Sequence, residues 1–208
     1  MKNILIHGLG QNSKDWDTIK NELETRGISS VAPDLFDLAK GRKLDYPTVY
    51  QAFSELCESY QDKLNLCGLS LGGLLALNYA IQYPKKINSL VLIGTPFEIP
   101  KGLLKFQNIV FRFMPKAVFQ NMGVSKKDFI RLSKSMAELN FMESAATLDC
   151  PTLILCGAKD KTNMESAKRF HEAMKNSKLV IVEASGHEVN KDNPRKLVSI
   201  LQDFWVDN

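Results

Sequence analysis

Short apolar runs recur along the chain and alternate with longer stretches in which apolar positions return at helical spacing. Most of these runs are continuous Ile, Val and Leu segments, which is typical of strands covered by helices on both faces. The pattern therefore predicts an α/β fold with a mainly parallel sheet of about six strands in three αβα layers. The predicted strands are residues 3–7, 28–32, 64–67, 89–93, 152–156 and 179–183.

The stretches between these runs predict helices, and several of these helices have recognisable start or stop residues. Gly27 follows the first helix and Pro84 follows the third, and both residue types stop helices. Asn193-Pro194 places a capping side chain and an N1 proline at the start of the last helix. The predicted helices are residues 14–26, 48–60, 71–83, 164–175 and 194–206.

The alternation breaks between Thr95 and Thr147, where the chain reads as helix and no strand-like run is present. Helical segments are predicted over residues 102–113, 116–122 and 126–139. This stretch holds most of the phenylalanines of the chain and has more basic than acidic residues. It predicts a helical insertion, although Phe and Met at helical spacing are more often a sign of ordinary core packing than of a substrate pocket.

Length and composition limit the classes of protein. With 208 residues we expect one domain over residues 1–208, because the chain can build one sizeable core and is short for two. The formal net charge is +4, and the basic residues are mostly scattered among acidic ones. Nucleic acid is therefore not expected as a partner. No stretch approaches the roughly 20 apolar residues that span a bilayer. The N-terminal apolar run is too short for a signal peptide, and we expect a cytoplasmic protein.

The four cysteines, Cys57, Cys67, Cys150 and Cys156, fall singly in apolar surroundings. None forms a Cys-x-x-Cys pair or stands near a histidine at metal-ligand spacing. We therefore expect buried free thiols and no metal site.

A Gly-x-Ser-x-Gly motif at residues 68–72 stands directly after a predicted strand and directly before a predicted helix. A sharp strand-to-helix turn of this kind holds Ser70 in a strained backbone conformation and projects its hydroxyl above the carboxyl edge of the sheet. In the alternative interpretation, the glycines only permit close packing and Ser70 caps the helix. A phosphate-binding loop is disfavoured because the Lys-Ser/Thr ending is absent. The context predicts Ser70 as a nucleophile.

A serine hydroxyl needs a general base at neutral pH, and the chain has three histidines. His171 lies in the middle of a predicted helix, and His7 ends the first strand in a glycine-rich loop. His187 instead follows the last strand in a loop at the carboxyl edge of the sheet, where ligands of open parallel sheets bind. We predict that His187 is the base.

The histidine in turn needs an acid that orients its imidazole. Asp160 is suitably placed, because it follows the predicted strand 152–156 in a glycine-containing loop. Glu98 follows the preceding strand and could reach the same histidine. We favour Asp160 and leave Glu98 as the alternative.

Acyl transfer also requires N–H donors for a developing oxyanion. The backbone N–H of Leu71, next to the nucleophile, is one candidate. The N–H of Leu9 is the other, because Gly8 and Gly10 let the backbone of that loop approach closely. Taken alone, the loop at residues 7–10 also reads as an ordinary strand–helix turn.

Together these features resemble the α/β-hydrolase superfamily, and the resemblance runs almost end to end. The order Ser70, Asp160, His187 is the order of nucleophile, acid and base in that family. Further matching positions are Trp16, Pro33-Asp34-Leu35, Gly94-Thr95-Pro96 and Pro194. The resemblance implies that the helical insertion, near residues 97–147, is a lid over the active site.

Two departures from the family pattern affect the interpretation. The family usually has a pair of strands before the His-Gly loop, whereas this chain begins on the strand that leads into it. We therefore expect a reduced α/β-hydrolase fold. The Gly-His-Gly that often follows Pro-Asp in esterases and lyases is replaced here by residues 36–41, which leaves the subfamily open.

The resemblance implies a serine esterase-like enzyme that cleaves a carboxylic ester or thioester through an acyl-enzyme, with no cofactor. Its expected partner is a small-molecule substrate with a small to medium apolar group; the oligomeric state is not predicted. A lyase or C–C bond hydrolase on the same fold, or a non-catalytic ligand-binding protein, remains an alternative. Residues of the insertion expected to line the substrate pocket are Phe97, Phe106, Phe113 and Met114.

Overall fold

The computed structural model describes residues 1–97, 115, 117, 119 and 123–207. Six parallel strands form one sheet in the order β2-β1-β3-β4-β5-β6. The sheet confirms the predicted α/β fold class. The strands are β1 (Lys2–Ile6), β2 (Ser30–Val31), β3 (Leu64–Leu69), β4 (Ile87–Ile93), β5 (Thr152–Gly157) and β6 (Ser177–Val182).

Helices surround the sheet, and the longer ones lie where helical spacing predicts them. They are α1 (Asp17–Thr25), α2 (Leu35–Leu38), α3 (Tyr46–Ser59), α4 (Leu71–Gln82), α5 (Lys126–Ser135), α6 (Met142–Ala145), α7 (Lys161–Ala173), α8 (Val189–Asp192) and α9 (Pro194–Val206). Two short 3₁₀ helices, Ser13–Trp16 and Pro84–Lys86, precede α1 and β4. Within residues 1–97 and 123–207, none of the helices combines the length and the apolar character that a membrane span requires.

The central strands bury side chains on both faces, because successive strand residues point to opposite sides. In β4, Leu90 and Leu92 join the core cluster formed with α3, α4 and α7, whereas Val91 and Ile93 join the cluster formed with α1 and α9. The continuous apolar runs in the sequence have this cause. The sheet is therefore the middle of three layers.

The structure differs from the sequence-based prediction mainly at element ends. Strand β2 has two residues rather than the predicted five, and the predicted helix 14–26 begins as a 3₁₀ turn. That turn is closed by a capping box in which Asn12 accepts from the Lys14 N–H and Asp15 accepts from the Asn12 N–H. Of the predicted insertion helices, segment 126–139 corresponds to α5; 102–113 and most of 116–122 lie outside the described residues.

Candidate active site

Ser70 stands at the turn between β3 and α4 with φ 54° and ψ −110°. A non-glycine residue at positive φ is strained, and such strain persists only where the surrounding structure holds it. The Ser70 N–H donates to the carbonyl of Ile93 at 2.8 Å, which fixes the turn against β4. The Ser70 side chain makes no capping hydrogen bond to α4. The alternative in which Ser70 caps the helix is therefore not observed, and its hydroxyl is not used in a hydrogen bond to the first turn of α4.

The glycines around Ser70 are required by close backbone approach. A Cβ on Gly72 would overlap the carbonyl of Ile6, and a Cβ on Gly68 would overlap the backbone of Gly72. On the opposite side, a Cβ on Gly8 would lie 3.5 Å from Ser70 Cβ. The loop after β1 therefore lies directly against the serine, as an oxyanion loop must.

Asp160 and His187 meet in a close contact. His187 Nδ1 lies 2.7 Å from Asp160 Oδ2, and the side chains are 41% and 5% exposed respectively. An ionised carboxylate only accepts hydrogen bonds, so Nδ1 carries the proton and donates it. This tautomer leaves Nε2 of the half-exposed ring with its lone pair available. A general base needs such a lone pair.

The loops that carry these two residues are packed together by backbone contacts. The Lys159 N–H donates to the carbonyl of Ser185 at 2.9 Å. A Cβ on Gly157 would overlap the carbonyls of Ser185 and Gly186, so only glycine permits this approach. The Gly186 N–H donates to Asp192 Oδ2 at 2.6 Å, which holds the histidine loop from the other side.

Electrostatics keep Asp160 ionised. Burial alone would raise the pKa of Asp160, but the hydrogen bonds from His187 and Asn163 outweigh it and hold that pKa below its usual range. Asn163 Nδ2 lies 3.0 Å from Oδ1 and 2.9 Å from Oδ2. The negative charge that an imidazolium would need beside it is therefore present at neutral pH.

The end of β4 connects the serine to the histidine–aspartate pair. Ile93 holds the Ser70 N–H, and the next residue, Gly94, has φ 51°. A Cβ on Gly94 would lie 2.9 Å from His187 Nδ1 and 3.2 Å from Asp160 Oδ2. Any larger residue would push the imidazole away from its acid. The structure thus places all three side chains around the carboxyl end of β4.

Two backbone N–H groups, those of Leu9 and Leu71, were predicted to bind an oxyanion. Across the described ranges 1–97 and 123–207, neither group donates to a protein acceptor. Leu71 is also the first residue of α4, where the helix dipole favours negative charge. Both groups are free to receive a ligand oxygen.

The loop that contains Leu9 is tied to the histidine loop through the buried Gln11. The Gln11 side chain accepts from the Gly8 N–H at 3.4 Å and donates to Glu188 Oε1 at 2.8 Å. Its Nε2 also lies 3.2 Å from Asn190 Oδ1. One buried amide therefore fixes the distance between the candidate oxyanion loop and the segment that follows His187.

His7 is excluded as a base by its surroundings. It is fully buried, its Nδ1 donates to the Gly8 carbonyl at 2.9 Å, and its Nε2 accepts from the Leu35 N–H at 3.0 Å. Burial lowers the pKa of His7, although the Gly8 hydrogen bond and the carboxylates of Asp34 and Asp15 act in the opposite direction. The imidazole is a neutral structural link. His171, in contrast, is exposed on α7 and contacts Ser177.

This burial predicts a pH-dependent loss of stability on the acid side. A histidine whose pKa is lower in the folded state binds a proton more readily when unfolded, so stability falls as the pH drops below about 6.5. Between pH 7.5 and 5.5 this contributes up to about 1.4 kcal/mol to the free energy of unfolding. We therefore expect the free energy of unfolding, measured with urea, to fall less between the two pH values in His7→Asn than in the wild-type protein. The difference between the two falls should be that amount.

His171→Asn serves as the matched control for that experiment, because it removes an exposed histidine. It should retain the wild-type drop in the free energy of unfolding between the two pH values. An unchanged drop in His7→Asn would contradict the assignment of His7 as a buried neutral group.

Of the predicted pocket residues, the structure describes only Phe97. It is half-buried after β4, and its ring lies 6.2 Å from that of Phe170 and 4.3 Å from the guanidinium carbon of Arg169. Its carbonyl accepts from the Phe141 N–H at 3.2 Å. The other predicted pocket residues, Phe106, Phe113 and Met114, and the alternative acid Glu98 lie outside the described residues.

Three further residues of the site, Asn163, Gln11 and Asn190, were missed by sequence reasoning. Asn163 left a faint signal, since Asp160 and Asn163 have the spacing of an N-cap and its N3 partner. Gln11 and Asn190 left none, because they stand 179 positions apart in the chain. Their pairing exists only once the loops after β1 and β6 are folded.

Comparison with known proteins places the chain in a family. The model of the α/β hydrolase fold family matches residues 4–126. A lipase of Moraxella sp., Lipase 3, is 27% identical over 225 residues, covering 88% of this chain and 70% of the lipase. The 2-hydroxy-6-oxo-2,4-heptadienoate hydrolase of Pseudomonas putida is 24% identical and covers 97% of this chain and 87% of that enzyme.

A solved structure gives the same fold. A thermophilic esterase from Thermogutta terrifontis superposes with a TM-score of 0.82 at 18% identity, covering 100% of this chain and 90% of the esterase chain. With the parallel sheet and the turn at Ser70, these findings show that the chain belongs to the α/β hydrolase fold family.

Proposed function

We propose that this protein is a serine hydrolase that cleaves carboxylic esters or thioesters with small to medium apolar groups. The observation that carries the proposal is the hydrogen bond from His187 Nδ1 to Asp160, at the carboxyl end of β4 beside the strained Ser70. That bond fixes the tautomer in which Nε2 can accept the serine proton. Lipases and esterases among the similar proteins support the same reaction class.

The reaction has two halves. Ser70 Oγ attacks the carbonyl carbon while His187 Nε2 takes its proton, and the N–H groups of Leu9 and Leu71 hold the oxyanion. The carbon–oxygen or carbon–sulfur bond then breaks, and the leaving group departs with the proton from His187. Water attacks the resulting acyl-enzyme with His187 again as base, releasing the acid and free Ser70.

We further propose that the segment near residues 97–147 is a lid over this site within a single domain over residues 1–208. Phe97 begins the segment and packs on α7, whose first turn carries Asn163 beside Asp160. Its aromatic ring lies against Phe170 and Arg169, toward the C-terminal end of that helix. The Phe- and Met-rich composition of the segment favours an apolar acyl or alcohol group.

Activity toward a series of p-nitrophenyl esters from acetate to decanoate tests the proposal. We expect turnover of the short and medium esters and, after rapid quenching, an acyl adduct on Ser70 detected by mass spectrometry. A folded protein without turnover on any ester, and without an adduct, would refute it.

A second candidate reaction is C–C bond hydrolysis, because one similar protein carries the name of such a hydrolase. Turnover of a 2-hydroxy-6-oxo-dienoate without an ester-derived acyl adduct would favour it. A non-catalytic ligand-binding role would instead leave Ser70 unreactive toward a fluorophosphonate probe.

A further inference from the structure

Asn163 contacts the acid of the candidate triad more extensively than any role as a helix residue requires. Its Nδ2 lies within 3.0 Å of both Asp160 oxygens, and its backbone N–H donates to Oδ1 at 3.3 Å. The backbone bond alone completes the N-cap of α7. The side-chain amide is therefore an additional donor to a carboxylate that is already satisfied by the helix and by His187.

The orientation of this amide is fixed by charge. If the amide were turned over, its carbonyl oxygen would face two carboxylate oxygens, and acceptors repel one another. With nitrogen toward Asp160, Nδ2 also lies 3.2 Å from His187 Nδ1. Because Nδ1 carries a proton that it donates to Asp160, this contact is a close approach of two donors. The amide therefore opposes additional positive charge on the ring.

We infer that Asn163 is a positioning residue that sets how strongly Asp160 stabilises the protonated form of His187, and with it the pH range of the enzyme. The Asn163 amide donates to both carboxylate oxygens of Asp160, including Oδ2, which also accepts from the imidazole of His187. Removing these hydrogen bonds makes Asp160 a stronger partner for the imidazolium and removes the opposing dipole. The ring then holds its proton to higher pH. This inference rests on the proposed function, in which His187 acts as the base.

The other groups around the pair do not supply this effect. From β5, the Cys156 thiol lies 3.7 Å from the backbone carbonyl of Asp160, and burial followed by the Asp160 charge raises its pKa to about 11. It is therefore neutral near pH 7. From β4, Gly94 contributes only backbone. Lys159 and Lys161 flank Asp160 in the chain, and Glu188 follows His187. Lys159 and Lys161 are exposed and Glu188 is partly exposed, so water screens their charges.

The test is an NMR titration of the imidazole resonances, which requires no turnover. The chain has three histidines, so a His187→Gln spectrum assigns the signal. In Asn163→Val we expect the midpoint of the His187 titration to rise by about 0.5–1 pH unit. The acid limb of the kcat/KM profile on p-nitrophenyl butyrate should move in the same direction.

Matched variants separate this effect from a general disturbance. Asn163→Thr has the shape of valine but keeps a hydroxyl donor, so its shift should be smaller than that of Asn163→Val. Thr162→Val removes an exposed hydroxyl on the same turn and should leave the midpoint unchanged. In an Asp160→Asn background, Asn163→Val should cause a smaller upward shift, because only the direct repulsion between the amide and the imidazole is then removed.

An unchanged midpoint in folded Asn163→Val overturns the inference, as does an equal shift in the Asp160→Asn background. If Asn163→Val does not fold, Asn163→Ala, which also lacks a side-chain donor, takes its place, and an unchanged midpoint in that variant overturns the inference. Because the titration reads the imidazole directly, these outcomes are independent of ester turnover. If the His187 midpoint rises as expected in Asn163→Val but the wild-type protein has no esterase activity, the proposed function is refuted and the positioning role remains.

Discussion

Ser70→Ala should lower kcat on p-nitrophenyl butyrate by about 10⁴- to 10⁶-fold. In the proposed reaction the hydroxyl forms the covalent bond to the acyl group. The Thr95 hydroxyl, which also follows β4, is buried and donates to the Ile93 carbonyl. The fold should be unaffected, because the Ser70 side chain makes no capping hydrogen bond to α4. Steady-state kinetics together with circular dichroism of the purified variant check both statements.

Two further variants make the result specific to this hydroxyl. Ser59→Ala removes an exposed serine hydroxyl at the end of α3 and should keep wild-type activity. Ser70→Gly should be as inactive as Ser70→Ala but more stable by about 1 kcal/mol or more, since glycine tolerates the φ of 54° without strain. Activity near the wild-type level in Ser70→Ala would contradict the proposed mechanism.

His187→Ala should reduce kcat/KM by a similar factor of about 10⁴ or more, because Ser70 then has no group to take its proton. The loss should occur without unfolding, since the His187 side chain is 41% exposed and makes one strong contact, to Asp160. Kinetics on the same ester and thermal melting of the variant provide the measurement.

His171→Ala is the control for the choice of base. That residue is exposed and contacts Ser177 rather than the candidate site, so its removal should leave activity unchanged. A large loss in His171→Ala, or substantial activity in His187→Ala, would show that the base was assigned to the wrong histidine.

The fold could be predicted from the sequence because the patterns that indicate its strands and helices are local. The run Leu90–Ile93 is continuous and apolar because β4 is covered on both faces, and this pattern needs no knowledge of distant residues. Strand ends were less accessible. Strand β2 shortens to Ser30–Val31 at the edge of the sheet, where pairing to β1 alone decides its length.

The candidate site could be predicted only in part, because some of its contacts join residues that are distant in the sequence. Ser70 was visible because its glycines are sequence neighbours, and the carboxyl-edge rule brought Asp160 and His187 to the same region. Their contact depends on the glycine packing of Gly157 against Gly186, which joins two loops far apart in the chain. The amide of Asn163 and the Gln11–Asn190 pair depend on such packing entirely. The roles of all these residues stay predictions until they are measured.

Labelling with a fluorophosphonate probe tests the central claim, an activated serine at position 70, most directly. Intact-mass and peptide mass spectrometry of the wild-type protein should show one adduct, located on Ser70. Ser70→Ala should show none, and His187→Ala should react far more slowly. A folded wild-type protein without an adduct, or an adduct that persists in Ser70→Ala, would contradict the claim.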